Sequence, residues 1–212
     1  MSKKVSLEDA LPALPLFPLP QVVLFPRVMV PLHVFEPRYQ KMLADCMDSF
    51  GAMALVLLRD PHRSEIAAIA GAGIVIEHQA LPGGRSNILL RGQSRVRLEE
   101  LSFQAPYRRA RATILEDIET SVSNADLSAL ASAATAFAGE VKKRDPGFAF
   151  HLQPNLPPGA VADACAHHLV IDIEAKQKAL EELDVRNRVQ LVTRELASQS
   201  AALSGSRGKL LH

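Results

Sequence analysis

Leu14-Pro-Leu-Phe-Pro-Leu-Pro20, Val22-Val-Leu-Phe-Pro26 and Val28-Met-Val-Pro-Leu-His-Val-Phe-Glu-Pro-Arg-Tyr39 are short apolar runs broken by proline at almost every joint. Seven of the chain's 14 prolines stand at positions 12, 15, 18, 20, 26, 31 and 37. Proline gives no N–H to a ladder, so the runs read as short edge or bulged strands and extended loops. Pro37 suits the first turn of a helix, which is expected to run to Asp48 and bury Tyr39, Met42, Leu43, Cys46 and Met47. Gly51 is the expected stop.

Further along, Ala52–Leu58 is a continuous apolar run and Gly73–Glu77 is rich in β-branched residues, both strand signals. Leu81-Pro-Gly-Gly-Arg85 supplies a turn before Asn87–Leu90. Arg91–Leu98 alternates, with Arg95 and Arg97 on one parity and Val96 and Leu98 on the other, and Tyr107–Leu115 continues in that style. Beyond Glu116 the period changes from two to 3.6. Leu127, Leu130, Ala131, Ala134, Phe137, Ala138 and Val141 fall on one helical stripe, closed by Asp145-Pro-Gly147. Pro157, Pro158 and Gly159 lead into Val161–Val170. Asp172 is placed to cap the next helix, to Leu183, and Asp184 to cap one carrying Val185, Val189, Val192 and Leu196. Strands first and helices second define an α+β chain: a β-rich lobe over 1–118, a helical bundle over 119–203 and a flexible tail over 204–212.

Composition narrows the function. The chain has 212 residues, 24 Lys+Arg against 23 Asp+Glu, and 48% hydrophobic residues. A folded protein is expected, without a global field for nucleic acid or an anionic membrane. Two Cys 119 positions apart, with no CxxC, fit a reducing cytoplasm. The longest apolar stretch, Ile66–Ile76, is 11 residues, where a membrane span needs about 18. Glu8, Asp9 and the prolines fall where a leader's apolar core would stand. The expectation is a soluble cytoplasmic protein.

Motifs for chemistry fail one by one. Gly205 and Gly208 are too close for a P-loop, and Gly71-Ala-Gly73 opens a strand and not a helix. Ser94 lacks the flanking geometry of a nucleophile elbow, and Cys46 and Cys165 sit on apolar stripes. Asp163 and His167, four apart on a helix with His168 beside them, are two or three ligands without a second pair, so an exposed Asp–His pair is the plainer reading. No cofactor and no metal is expected. Two binding surfaces stay open. Seven arginines between Arg85 and Arg111 face only Glu99 and Glu100; Arg91, Arg95 and Arg97 share parity, as do Arg109 and Arg111, which would give one arginine face able to grip RNA. Few aromatics interleave them, only Phe103 and Tyr107, so a solvated sheet face is the alternative. Phe25, His33 and Phe35 lie in the irregular proline-rich start, where exposed apolar side chains would suit extended polypeptide, core packing being the alternative.

Leu14-Pro-Leu-Phe-Pro18, Val23-Leu-Phe-Pro26 and Val30-Pro-Leu-His-Val-Phe-Glu-Pro-Arg-Tyr39 resemble the opening of the Lon protease N-terminal domain. The glycines at 51 and 71, Leu81–Arg85, Arg91-Gly92 with Arg95, and Pro106-Tyr107 resemble its middle. Val161-Ala-Asp163, Glu174–Gln177, Leu180-Glu181, Asp184-Val185 and Arg188 resemble its end. The likeness covers residues 12–197. It implies a PUA-like β pseudo-barrel with one inserted helix, followed by a C-terminal α-helical bundle. It also implies a role in recognising unfolded or extended polypeptide, alongside a protease or chaperone system. Nothing in the 212 residues resembles the family's ATPase or Ser–Lys protease parts, so a stand-alone, non-enzymatic module is expected, with RNA binding as the alternative. Arg27 departs from the glycine usual after Phe-Pro in this family.

Overall fold

The computed structural model describes residues 6–60, 62, 64–153 and 155–208, with side chains in the last helix placed as far as Leu203. The chain divides into two compact units, Met1–Glu116 and Asp117–His212.

The first unit contains strands β1 (Leu14–Leu19), β2 (Met29–Val34), β3 (Ala52–Asp60), β4 (Glu65–Ile66), β5 (Ile69–Ala80), β6 (Ser86–Glu100) and β7 (Arg109–Leu115), with helix α1 (Pro37–Asp48) between β2 and β3. Ladder pairing runs β1–β7–β6–β5–β3, and a parallel β1–β3 pairing closes the ring. Closure pairs both edges of these five strands, whereas β2 and β4 each pair along one edge, with β6 and β3. Register places Ala52, Ala54, Ala70, Ala72, Ala110 and Ala112 on one buried face with Leu14, Leu16 and Val96. Alanines let five strands close on a narrow interior.

The outer wall of β1 and β3 is covered by α1, whose Tyr39, Met42, Leu43 and Cys46 are buried. The Tyr39 ring lies 4.4 Å from that of Phe17. Full burial of such side chains contributes about 1.5–3 kcal/mol each. Val23, Leu24 and Phe25 form no strand; they cross the barrel wall as a buried segment. The crossing depends on two glycines: a Cβ at Gly71 would fall 1.8 Å from the Leu24 carbonyl oxygen, and one at Gly92 would fall 2.1 Å from that of Phe25.

The Asn87–Leu90 and Arg91–Leu98 signals belong to one 15-residue strand, β6. Its first half pairs with β2 and its second with β7. Between them the β5–β6 register shifts at Gln93, an extra residue in the ladder. A one-residue bulge exchanges the faces of everything beyond it.

The second unit is a bundle of α2 (Asn124–Lys142), α3 (Pro158–Leu169), α4 (Ile173–Glu181) and α5 (Val185–Gly208). Ser123 and Asp126 form a capping box for α2. The Asp172 carboxylate accepts from Ala175 N at 2.7 Å and Asp184 from Asn187 N at 2.9 Å, so both act as caps. Of the expected α2 stripe only Leu130, Ala134 and Phe137 are buried. The core is completed by Ala162, Cys165, Leu169, Leu180, Val185, Val189, Val192 and Leu196. α5 continues to Gly208, past the Ser204 at which a flexible tail was expected; residues 209–212 lie outside the described residues.

Arg188 is fully buried in this bundle. Its guanidinium donates to both Asp117 carboxylate oxygens, at 2.9 and 2.5 Å, and to the Glu182 carbonyl at 2.7 Å. Its Nε lies 3.2 Å from the Asp163 carboxylate. Asp163, only 4% exposed, is therefore committed to an internal ion pair, which overturns the expected exposed Asp–His pair and removes the ligand reading as well.

Candidate functional site

Four separate stretches converge on one cleft of about 550 Å³ in the barrel unit. The end of β1 gives Pro18, the first turn of α1 gives Arg38 and Tyr39, and the irregular β6–β7 connection gives Leu101, Phe103, Pro106, Tyr107 and Arg108, with Leu58, Ser64 and Glu100 completing the lining. Tyr39 is fixed by Pro37 at the head of its helix and by the buried stripe below it. Phe103, in contrast, is 68% exposed and Leu101 lies beside it at the surface. Large apolar side chains this open to solvent next to a cleft are the usual mark of a contact surface.

The charged groups on the rim neutralise each other. Arg108 holds Glu100 in a bidentate pair at 2.7 and 2.6 Å and donates to the Ser64 carbonyl at 2.7 Å. Arg38 pairs with Glu36 at 2.8 Å while its guanidinium lies 4.5 Å over the Tyr39 ring. Behind the cleft, the Tyr107 hydroxyl donates to Asp45 at 2.8 Å and accepts from Arg109 at 2.7 Å. Burial raises the Tyr39 hydroxyl pKa, and burial with the Asp45 bond raises that of Tyr107, so both stay neutral phenols. Lys41 and Tyr107 bonds hold the Asp45 carboxyl below its ordinary range.

The arginine face expected from parity is split. The bulge at Gln93 puts exposed Arg91 on the face opposite Arg95 and Arg97. Arg95 is only 3% exposed. Arg97 and Arg111 are exposed on one face, but Arg111 sits 4.0 Å from Glu99 and Arg109 folds over the Tyr107 ring at 4.9 Å. Phe25 is fully buried and serves the core, which corrects its assignment as a contact residue. His33 and Phe35 are exposed on or beside β2, their rings stacked at 6.0 Å, and His33 Nδ1 bonds Asn87 Oδ1 at 2.8 Å.

Among the described residues none of the weighed nucleophiles faces a base; the Cys46 thiol donates only to the Ala52 carbonyl at 3.4 Å. Ser94 pairs with Ala72 on the barrel wall, seven residues along β6 from the Asn87 that holds His33, roughly 20 Å away. Burial pushes the Cys46 and Cys165 thiols up to about 12. Among the described residues no three His, Cys, Asp or Glu side chains cluster as a metal site would require. Nor is any helix among them long and apolar enough to cross a membrane. The cleft itself escaped the sequence reading because its walls come from segments up to 90 positions apart. The available signal was Phe103, Pro106 and Tyr107 in an otherwise polar connection.

A closed barrel with a lined cleft, followed by a helical bundle, defines an α+β protein of two units. The family of the ATP-dependent protease La (LON) substrate-binding domain matches residues 13–198, and the chain belongs to that family. Lon protease of Roseiflexus castenholzii is 28% identical over 195 residues, covering 84% of this chain and 23% of that protein. Lon protease 2 of Myxococcus xanthus is 27% identical over 205 residues, covering 89% and 24%. The chain thus spans about a quarter of the length of these relatives, and the matched part is the substrate-binding domain. Two solved structures share the fold. The Lon N-terminal domain protein from Xanthomonas campestris has a TM-score of 0.64 at 22% identity, over 84% of this chain and 95% of that one. The N-terminal domain of Mycobacterium avium complex Lon protease has a TM-score of 0.65 at 14% identity, over 87% and 98%.

Proposed function

We propose that this chain is a non-enzymatic, cytoplasmic polypeptide-binding module that seats apolar side chains of unfolded or extended proteins in the Tyr39–Phe103–Tyr107 cleft. The observation that carries the reading is the combination of exposed Phe103 with a rim whose charges are already paired. Such a site offers apolar area without demanding a charged ligand, which is what a segment torn from a protein core presents. Membership of the substrate-binding family supports the same class of ligand. Delivery of the bound chain to a protease or chaperone system would then be its use. The RNA alternative loses its basis where Arg91 lies on the opposite face and Arg95 is buried.

The test is isothermal titration of reduced, carboxymethylated α-lactalbumin into the chain, beside Phe103→Ser. Both residues of the exchange are solvent-facing, so the fold is kept. Saturable binding weakened at least about fivefold by the substitution fits loss of one apolar anchor. Equal binding by both proteins, or none by either, refutes the cleft.

A further inference from the structure

Arg27 is one of the few non-glycine residues with a left-handed backbone, φ 67°. Its amide donates to the Gly92 carbonyl at 2.9 Å, and the Gly92 amide returns a bond to the Val28 carbonyl at 2.8 Å, so the strained turn is pinned against β6. Left-handed geometry disfavours any residue with a Cβ and is free for glycine. Glycine would serve the turn better, so the arginine side chain needs a reason outside the fold. It has none inside it: Arg27 is exposed and, among the described residues, forms neither an ion pair nor a side-chain hydrogen bond.

The same is true of Arg91, which is exposed and unpaired among the described residues. Arg91 stands opposite Met29 in the β2–β6 ladder, one residue from the Gly92 that holds Arg27. Met29 is 55% exposed between them. The rows beyond it on this face are Pro31 with Leu89, then His33 with Asn87. Phe35 follows at the far end, 59% exposed. The acids nearby do not compensate the cations: Glu36 is held by Arg38, and Glu77 lies across the strip beside Leu89 on β5.

We infer that Arg27, Met29 and Arg91 anchor an acidic segment of polypeptide on the outer face of β2 and β6, with the apolar strip towards Phe35 taking the residues that follow. The charge complementarity is two uncompensated guanidinium groups against carboxylates. The ring pair lies at the opposite end from the cations, whereas a single strand of nucleic acid needs bases stacked alongside its neutralised phosphates. This surface is separate from the cleft and shares with it only the class of ligand.

The experiment is fluorescence anisotropy with the full chain at low salt and three labelled probes: a twelve-residue peptide of glutamate and leucine, its glutamine counterpart, and single-stranded oligouridylate. Arg27→Gly is the decisive variant because it relieves the strained turn while removing the charge. Expected are a melting temperature no lower than that of the parent and acidic-peptide binding weakened about threefold, with a similar loss in Arg91→Gln, as for exposed charge pairs. Arg27→Lys should bind the acidic peptide as the parent does, and Phe103→Ser should weaken the acidic and glutamine peptides alike, because both carry leucines for the cleft. Undiminished binding by both Arg27→Gly and Arg91→Gln overturns the inference. Equal affinity for the glutamine peptide, tighter binding of oligouridylate, or no binding of the acidic peptide overturns it too. The cleft is judged by the loss of α-lactalbumin binding in Phe103→Ser and this surface by the loss of acidic-peptide binding in Arg27→Gly and Arg91→Gln, so failure here and failure of the cleft are read separately.

Discussion

Arg188→Ala should unfold the helical unit well below the parent's melting temperature. Arg188 is fully buried, and its guanidinium makes three hydrogen bonds and the contact to Asp163, itself only 4% exposed. Truncation leaves a buried carboxylate without its counter-charge and a void where the guanidinium stood. Breaking one side of a buried pair costs about 3–5 kcal/mol. At about 4–8 °C per kcal/mol for a unit of this size, the loss amounts to at least 12 °C. Circular dichroism at 222 nm follows it, since α2–α5 carry most of the helix. Arg188→Lys keeps the charge but loses the two-pronged grip on Asp117, and should fall between the two. Arg188→Met combined with Asp163→Leu should recover much of the loss, because the uncompensated charge goes with its partner. An Arg188→Ala chain melting within about 2 °C of the parent, less than even 1 kcal/mol would give, would refute the reasoning.

Other expectations concern the turn, the crossing and acid. Arg27→Gly removes a left-handed cost of about 1–2 kcal/mol and adds glycine's unfolded-state entropy of about 0.5–1 kcal/mol, for a net gain of up to about 1.5 kcal/mol. Calorimetry should show the barrel unit melting a few degrees higher; a lower temperature contradicts the assignment of strain. Gly71→Ala drives a methyl into the Leu24 carbonyl and should destabilise the barrel by about 3 kcal/mol, visible as a lower denaturant midpoint. Asp184 is held below its usual carboxylate range by bonds from the Asn187 amide and the Thr120 hydroxyl. Its folded pKa lies below the unfolded one, so its contribution is full above about pH 4 and is lost as pH falls through the folded value. Asp184→Asn should therefore flatten the acid arm of the stability profile, and an unchanged arm would show that the carboxylate does not cap α5.

How far the residues foretell the structure depends on where the decisive physics lies. Helix α1 was readable because Pro37, the buried stripe and Gly51 all speak within one stretch of chain. The change of period after Glu116 likewise separates strands from helices without any tertiary knowledge. The arginine face was misjudged because parity holds only along an uninterrupted strand, and nothing in Gly92-Gln-Ser94 announces that Gln93 is an extra residue. Phe25 looked like an open aromatic in a broken segment. Its burial depends on Gly71 and Gly92 forty-six and sixty-seven positions away. Ring closure by parallel β1–β3 pairing, and the cleft it frames, are long-range events of the same kind.

Backbone amide correlation spectra of the isotopically labelled chain, titrated with reduced, carboxymethylated α-lactalbumin, test the polypeptide-binding claim most directly. Shifts should gather on Arg38, Tyr39, Leu101, Phe103, Tyr107 and Arg108, and these should vanish in Phe103→Ser while any around Arg27 and Arg91 persist. A spectrum that stays unmoved, or moves only in the helical unit, contradicts it.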